Sequence, residues 1–254
     1  MPQLSIVMPY YRNPGMLARH YQEWSSSWAD GFKKLVEVVI VDDGSPEPAA
    51  EVRRPFNLPE VQIWRVKENR PWHQHAARNI GAHVARGAVL MMTDMDHVIP
   101  EDVLAVMLTH SNHHTALTFG RVDAPADRPW TSQDWPSMAE TKRPDGSLKP
   151  HVNSFCLTRS AYWRVGGYDE EYCGHYGTDG LFRRRLWRKL RPVHWPNQPL
   201  IRVDRSVIAD ASTTDWPRKE GRAAYFRRKI AREKAARGDA DVIKTLKSPY
   251  EQVL

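Results

Sequence analysis

Only two cysteines occur in the 254 residues, Cys156 and Cys173. They stand at no metal-ligand spacing, so neither a disulfide scaffold nor a thiolate zinc site is expected, and reduced thiols are the simple reading. No apolar run approaches the roughly 20 residues that span a bilayer. No secretory leader precedes the first strand-like run, Leu4-Ser5-Ile6-Val7-Met8. These features predict a cytoplasmic protein, peripheral at a membrane face if it meets a membrane at all. No internal repeat or low-complexity tract appears, which excludes solenoids and tail-like proteins. The charged fraction of 26% and hydrophobic fraction of 41% are those of an ordinary globular chain. The length suits one large α/β domain, alone or with a small appendage. Nothing in the sequence sets an oligomeric state.

What is abundant is tryptophan, ten in all, and positive charge, +7 net. Tryptophan offers large flat surfaces for a core or a ligand cleft. The charge is local. Arg218 to Arg237 holds nine Lys/Arg against two Glu, a net 9 − 2 = +7, so the rest of the chain is near neutral. Ala223, Phe226 and Ile230 fall at spacings of three and four, so this stretch is predicted to be an amphipathic helix with a basic face. It suits docking onto the domain, an anionic membrane surface, or DNA. A second basic run holds Arg183 to Arg185, Arg188, Lys189 and Arg191. We therefore divide the chain into a main domain, 1–212, and a basic helical extension, 213–254.

The first half alternates strands and helices. Leu4–Met8 reads as a strand. Leu17, Tyr21, Trp24 and Trp28 mark one helix face. Val36–Val41 is an apolar, β-branched strand, and Val61–Val66 alternates as a strand. Trp72, Ala76, Ile80 and Val84 form an i, i+4 series; Val89–Met92 is a buried strand; Pro100 opens a helix. This alternation predicts a mainly parallel, Rossmann-like sheet flanked by helices. Asp123–Pro150 lacks periodicity and reads as a long loop, either a lid or a disordered segment. His110, His113 and His114 follow a helix and suit its solvated end.

In a parallel sheet, ligands bind beyond the carboxyl ends of the strands. The unusual residues lie there: Pro9-Tyr10-Tyr11, Asp42-Asp43-Gly44-Ser45, and Asp94-Met95-Asp96. Two carboxylates at i and i+2 on an extended segment face one side. They are hard oxygen ligands suited to Mg²⁺ or Mn²⁺. An idle pair of charges at a buried strand end would be costly.

These motifs resemble the GT-A fold glycosyltransferases, close to family 2. Pro9-Tyr10-Tyr11 matches the end of the family's first strand, and Val41-Asp42-Asp43-Gly44-Ser45 matches its Val-Asp-Asp-Gly-Ser. Ala77-Arg78-Asn79-Ile80-Gly81 matches Ala-Arg-Asn-x-Gly. Asp94 and Asp96 match Asp-x-Asp, and Gly166-Gly167-Tyr168-Asp169-Glu170 matches Gly-Gly-Phe/Tyr-Asp-Glu. They occur in family order over about Leu4 to Leu190.

The resemblance implies a metal-dependent, inverting transfer from a UDP-sugar donor to a hydroxyl of a glycan or lipid-linked acceptor. Hydroxylated bases of DNA are the alternative acceptor, and a non-catalytic nucleotide-binding protein is the competing class. Pro9, Tyr11, Asp42 and Asp43 would hold the uridine end of the donor. Arg78 would sit near the ribose or sugar, or else on the helix surface. Asp94 would contact the donor and, with Asp96, a Mn²⁺ or Mg²⁺ ion. Asp179 stands where the family keeps its acceptor-side base, although Thr178 replaces the Glu of the family's Gly-x-Glu-Asp and Tyr176-Gly177 stands for Trp-Gly. For a third metal ligand the candidates are His194, Asp204 and Asp210.

Overall fold

The computed structural model describes residues 1–70, 73–140, 142–174, 179–204, 206–208, 224, 227–228, 230–231 and 246–254. Its first layer of organisation is the run β1 (Leu4–Tyr10), α1 (Pro14–Ser27), α2 (Asp30–Leu35), β2 (Val36–Asp42), β3 (Glu60–Val66), α3 (Gln74–Val84) and β4 (Val89–Met92). β1 pairs in parallel with β2 on one side and β4 on the other, and β2 with β3. The expected parallel sheet is present over these four strands.

The strands are buried on both faces. Leu4, Ile6 and Met8 of β1 join one core cluster with Trp24 and Trp28 of α1, while Val7 joins a second with Ile80 of α3. The same alternation splits Val36, Val38 and Ile40 from Val39 and Val41. A two-residue side-chain period feeding helices on both faces produces this three-layer arrangement. Trp24 and Trp28 are 0% and 2% exposed, so these two tryptophans serve the core.

Beyond β4 come β5 (His97–Val98), α4 (Glu101–His110), β6 (Thr115–Asp123), β7 (Ala139–Glu140), β8 (Phe155–Thr158), α5 (Arg159–Arg164), α6 (Asp179–Lys189) and β9 (Arg191–Arg202). This half is mixed. β8 runs antiparallel to β4 and β6, β9 is parallel to β6, and β5 is antiparallel to β9. The stretch expected as a loop after Asp123 is packed against the domain: Met138 and Leu148 are buried, and Trp130 stacks under Arg19 at 4.0 Å.

β10 (Tyr250–Gln252) pairs antiparallel with β3 at the sheet edge. The end of the chain, assigned above to the extension, is thus hydrogen-bonded into the catalytic sheet. The basic helix expected over Arg218–Arg237 lies largely outside the described residues. The second basic run is partly spent internally. Arg185 is 5% exposed and donates to the carbonyls of Val165 and Gly167, Lys189 donates to that of Arg164, and Arg183 to that of Val152. Arg185 and Lys189 thereby cap the carboxyl end of α5, where cations are favoured.

Candidate active site

The adjacent parallel strands β2, β1 and β4 end at Asp42, Tyr10 and Met92, so the turns that follow them open on one side of the sheet. In the first turn Gly44 has φ +72°, and a Cβ there would collide with the backbone at Glu68, so the Asp-Asp-Gly-Ser bend requires glycine. Asp42 is 1% exposed and committed to this bend. Its Oδ1 accepts from the Ser45 N–H at 2.7 Å, and its Oδ2 from the Ala49 N–H at 2.9 Å and from Arg65 at 3.0 Å. Asp42 was expected among the donor-binding residues, but its carboxylate is already filled by the protein.

Asp43 differs. Its buried Oδ1 lies 3.5 Å from His73 Nδ1, too far for a good hydrogen bond. Burial, then the charge of Asp42, push its carboxyl well above the usual range, against a lowering contact from the His73 N–H. A carboxylate in this position is improved by an N–H donor from a ligand. Tyr11 stands beside it, its hydroxyl donating to Asn69 at 3.3 Å, and Pro9 is part-buried in β1.

Two of the motifs lock together through Asn79. Its Oδ1 accepts from the Tyr168 N–H at 2.8 Å and the Tyr162 hydroxyl at 2.7 Å. Its Nδ2 donates to the Tyr168 carbonyl at 2.9 Å and to Glu170 at 2.7 Å. Gly167, at φ +62°, lets this amide come close: a Cβ there would stand 2.8 Å from Asn79 Oδ1. The Ala-Arg-Asn helix is thereby fixed to the Gly-Gly-Tyr-Asp-Glu turn.

That clamp sets Arg78. It is 0% exposed, so the helix-surface alternative is excluded. Its guanidinium forms an ion pair with Asp94 Oδ1, and lies 5.5 Å from the Tyr168 ring. Burial disfavours its charge, but Tyr168, Asp94 and Asp179 outweigh that and hold it protonated. Arg78 is therefore a buried cation serving two carboxylates. Asp94 itself is pushed up by burial and held back chiefly by Arg78.

Asp96 pairs with His97, whose Nδ1 is 2.6 Å from Asp96 Oδ1, and this contact outweighs burial to keep Asp96 well below the usual carboxylate range. The His97 ring stacks on His151 at 3.9 Å, and His151 Nε2 lies 3.5 Å from Asp94 Oδ2. Burial, with the charge of His97, keeps His151 neutral. From beneath, His20 Nε2 meets the Met95 carbonyl at 2.7 Å and props the turn between the two aspartates.

Two carboxylates and two imidazoles form a donor set that suits Mn²⁺ or Mg²⁺, and His97 Nε2 is buried with no hydrogen-bond partner. The residues fit a divalent cation by chemistry. Among the described residues no three of them are already arranged as a cage. Protein partners, Arg78 on Asp94 and the His97 ring on Asp96, meet the carboxylates instead.

His194 is not brought to this cluster in its bonding. Its Nε2 donates to the Leu148 carbonyl at 2.8 Å, and its Nδ1 meets Thr118 at 3.2 Å. Both ring nitrogens are taken by the β6–β9 neighbourhood. Asp204 follows Val203, whose N–H donates to the Asp96 carbonyl, but its Oδ1 caps Ser206. Asp210 lies outside the described residues. His151 is the imidazole that sequence reasoning missed; it sits at the foot of an aperiodic stretch, and only the antiparallel pairing of β8 with β4 carries it to Asp94.

Asp179 opens α6 and is close enough for the charges of Arg78 and Asp94 to act on it or be acted on by it. His75 Nε2 is 3.5 Å and Gln74 Nε2 3.4 Å from its Oδ1. Burial raises its carboxyl, but His75, then Arg78, outweigh burial and bring it down to about 2. It is ionised at neutral pH. The arrangement gathers Asp94, Asp96 and the ionised Asp179 around the charge of one buried arginine, with Asp43 at the neighbouring strand end.

A family model described as glycosyl transferase family 2 matches residues 5–165, a span that contains Asp43, Arg78, Asp94 and Asp96 but ends before Asp179. The chain is 30% identical over 94 residues to an undecaprenyl-phosphate 4-deoxy-4-formamido-L-arabinose transferase of Edwardsiella ictaluri (strain 93-146), covering 37% of this chain and 29% of that protein. It is 25% identical over 214 residues to a validoxylamine A glucosyltransferase of Streptomyces hygroscopicus subsp. limoneus, covering 70% of this chain and 46% of that one. It thus spans less than half the length of these curated relatives. Among solved structures, S. aureus TarS 1–349 superposes with a TM-score of 0.56 at 15% identity, over 80% of this chain and 60% of that one. GalNAc-T7 with UDP, GalNAc and Mn²⁺ gives the same score and identity, over 80% and 44%. At that identity the likeness establishes the GT-A fold.

Proposed function

Because the chain belongs to glycosyltransferase family 2, we propose that it transfers a sugar, with inversion, from a UDP-sugar to a hydroxyl of a glycan or lipid-linked glycan. The observation that carries this reading is Arg78, fully buried, paired with Asp94 and held protonated in part by the charge of Asp179. One cation lets two carboxylates stay ionised across a short gap, which is the charge arrangement an in-line displacement needs. The GT-A neighbour with UDP and Mn²⁺ supports the donor class and the metal. The undecaprenyl-phosphate relative supports a lipid-linked acceptor met at a membrane face by a cytoplasmic enzyme. Among the described residues no helix is long and apolar enough to cross a membrane. The engagement of Arg183, Arg185 and Lys189 by backbone carbonyls weakens the case for DNA as acceptor, since it removes part of a phosphate-tracking surface.

Asp43 accepts from the uracil edge, with Tyr11 and Pro9 as the wall beside it. Asp94 and Asp96 would hold the cation, with His97 and His151 as the neighbouring imidazoles. When bound, a divalent ion supplies counter-charge to the departing diphosphate. Asp179 takes the proton from the acceptor hydroxyl as that oxygen bonds to the anomeric carbon and the bond from carbon to phosphate oxygen breaks.

Titration calorimetry with UDP tests the donor site. Native protein is expected to bind UDP more tightly with Mn²⁺ than without. Asp43→Ala should weaken binding about 10-fold, roughly 1.4 kcal/mol, with little change in thermal stability. Asp42→Ala should do the reverse, losing about 1–3 kcal/mol of stability because it strands buried N–H groups of Ser45 and Ala49. An Asp43→Ala protein that binds UDP as the native one does contradicts the assignment.

A further inference from the structure

His75 belongs to none of the motifs that carry the family resemblance, yet it touches the proposed base. It lies in the first turn of α3, is 3% exposed, and its ring packs 5.0 Å from that of Tyr168. Its Nδ1 is 3.2 Å from the Asp169 carbonyl oxygen. A carbonyl only accepts, so Nδ1 carries a hydrogen. Nε2 faces Asp179 Oδ1 at 3.5 Å. Contact with His75 at this position lowers the Asp179 carboxyl. Gln74 meets the same oxygen, so both partners gather Oδ1 and turn the second oxygen away from themselves.

We propose that His75, anchored by the Asp169 carbonyl, is the positioning residue for Asp179: it orients the carboxylate toward the acceptor and keeps it ionised. The inference rests on the reading of Asp179 as the base. The chain of groups is carbonyl, imidazole, carboxylate, acceptor hydroxyl. It also gives the Gly-Gly-Tyr-Asp-Glu turn a task beyond clamping α3, since its backbone oxygen fixes the orientation of the ring.

The other charges facing the pair are Arg78 of the same helix, Asp94 at the end of β4, and Tyr168, itself influenced by Arg183 of α6. Burial raises Asp179, and His75 is the largest influence that lowers it, ahead of Arg78. A base acts in its ionised form. With a depressed pKa it stays ionised through neutral pH and fails only as pH falls through that pKa. Without His75 the carboxyl rises toward the range set by burial, and the acid limb of the rate profile moves to higher pH.

The test is the pH dependence, between about pH 4 and pH 9, of Mn²⁺-supported UDP-sugar hydrolysis by the full chain and its variants. His75→Phe is expected to lower kcat by about 10–100-fold, the usual cost of losing an outer partner, with the donor KM unchanged and the acid limb displaced upward. His75→Gln keeps an N–H near the Nε2 position and should recover most of kcat and restore the limb. His75→Asn reaches the Asp169 carbonyl but falls short of Asp179, and carries the same expectation as His75→Phe should that variant not fold. An inactive Asp179→Asn alongside a His75→Phe or His75→Asn protein with native kcat and a native acid limb overturns the proposal for His75 alone. An Asp179→Asn protein that turns over normally overturns the base assignment itself, and the inference with it.

Discussion

Replacing Asp179 by Asn is expected to lower the transfer rate about 1,000-fold, roughly 4 kcal/mol of activation free energy, while UDP affinity stays within about two-fold. The amide is nearly isosteric and can still hydrogen-bond to Gln74 and His75, so the fold should hold. What it cannot do is accept a proton from the acceptor hydroxyl. Arg78 loses one of its two carboxylate neighbours but keeps Asp94 in direct contact, so the buried cation remains paired. A loss confined to kcat marks a group used in the transition state. Equal losses in donor affinity and rate would instead mean that Asp179 helps bind the donor.

The second large effect is expected at the metal pair, and the choice of variant matters. Asp94→Ala would leave the fully buried Arg78 without its direct partner, a change that costs about 3–5 kcal/mol of stability when a buried ion pair is broken. It would confound metal binding with folding. Asp96 is the cleaner probe, because its removal strands no buried guanidinium: its direct partner is the His97 imidazole. Asp96→Ala should abolish the Mn²⁺ enhancement of UDP binding and reduce Mn²⁺-supported turnover by about 100-fold or more, consistent with the several kcal/mol a metal contributes to leaving-group stabilisation. The electron paramagnetic resonance signal of Mn²⁺ titrated with the variant reads the site without reference to turnover. Native Mn²⁺ uptake by Asp96→Ala would remove Asp96 from the metal site.

The parallel half of the fold was legible because its cause is local. β1, β2 and β4 are continuous apolar runs, and α1 and α3 carry one apolar face each, so period and length were enough. β9 was not legible. Pro192, Pro196 and Pro199 fall within its twelve residues and argue against a strand, yet it lies along β6 with a register shift between Phe119 and Arg121 that absorbs the irregularity. His194, weighed as a metal ligand, proved to be a β9 residue holding Leu148 and Thr118. β10 is three residues long and is defined only by its pairing with β3.

In the site, the motif aspartates could be found from the strand-end rule. Their division of labour could not. Asp42 and Asp43 are neighbours of the same type, and only the hydrogen bonds to Ser45, Ala49 and Arg65 show that Asp42 is spent on the bend. Arg78 could be read equally as a surface residue until its burial was seen. His75, His97 and His151 carry no motif signal, because each acquires its role from a partner on another element: Asp169 and Asp179 for the first, the stacked pair and Asp94 for the others.

The central claim is that this cleft turns over a nucleotide sugar in a metal-dependent, inverting reaction. Proton NMR of the native protein incubated with a panel of UDP-, GDP- and TDP-sugars and Mn²⁺ tests it most directly. The account predicts slow release of UDP from at least one UDP-sugar, suppressed by chelation of the metal, with the first-formed sugar inverted at its anomeric carbon. A folded protein that hydrolyses no UDP-sugar with Mn²⁺ present, or that releases sugar with retained configuration, would contradict it.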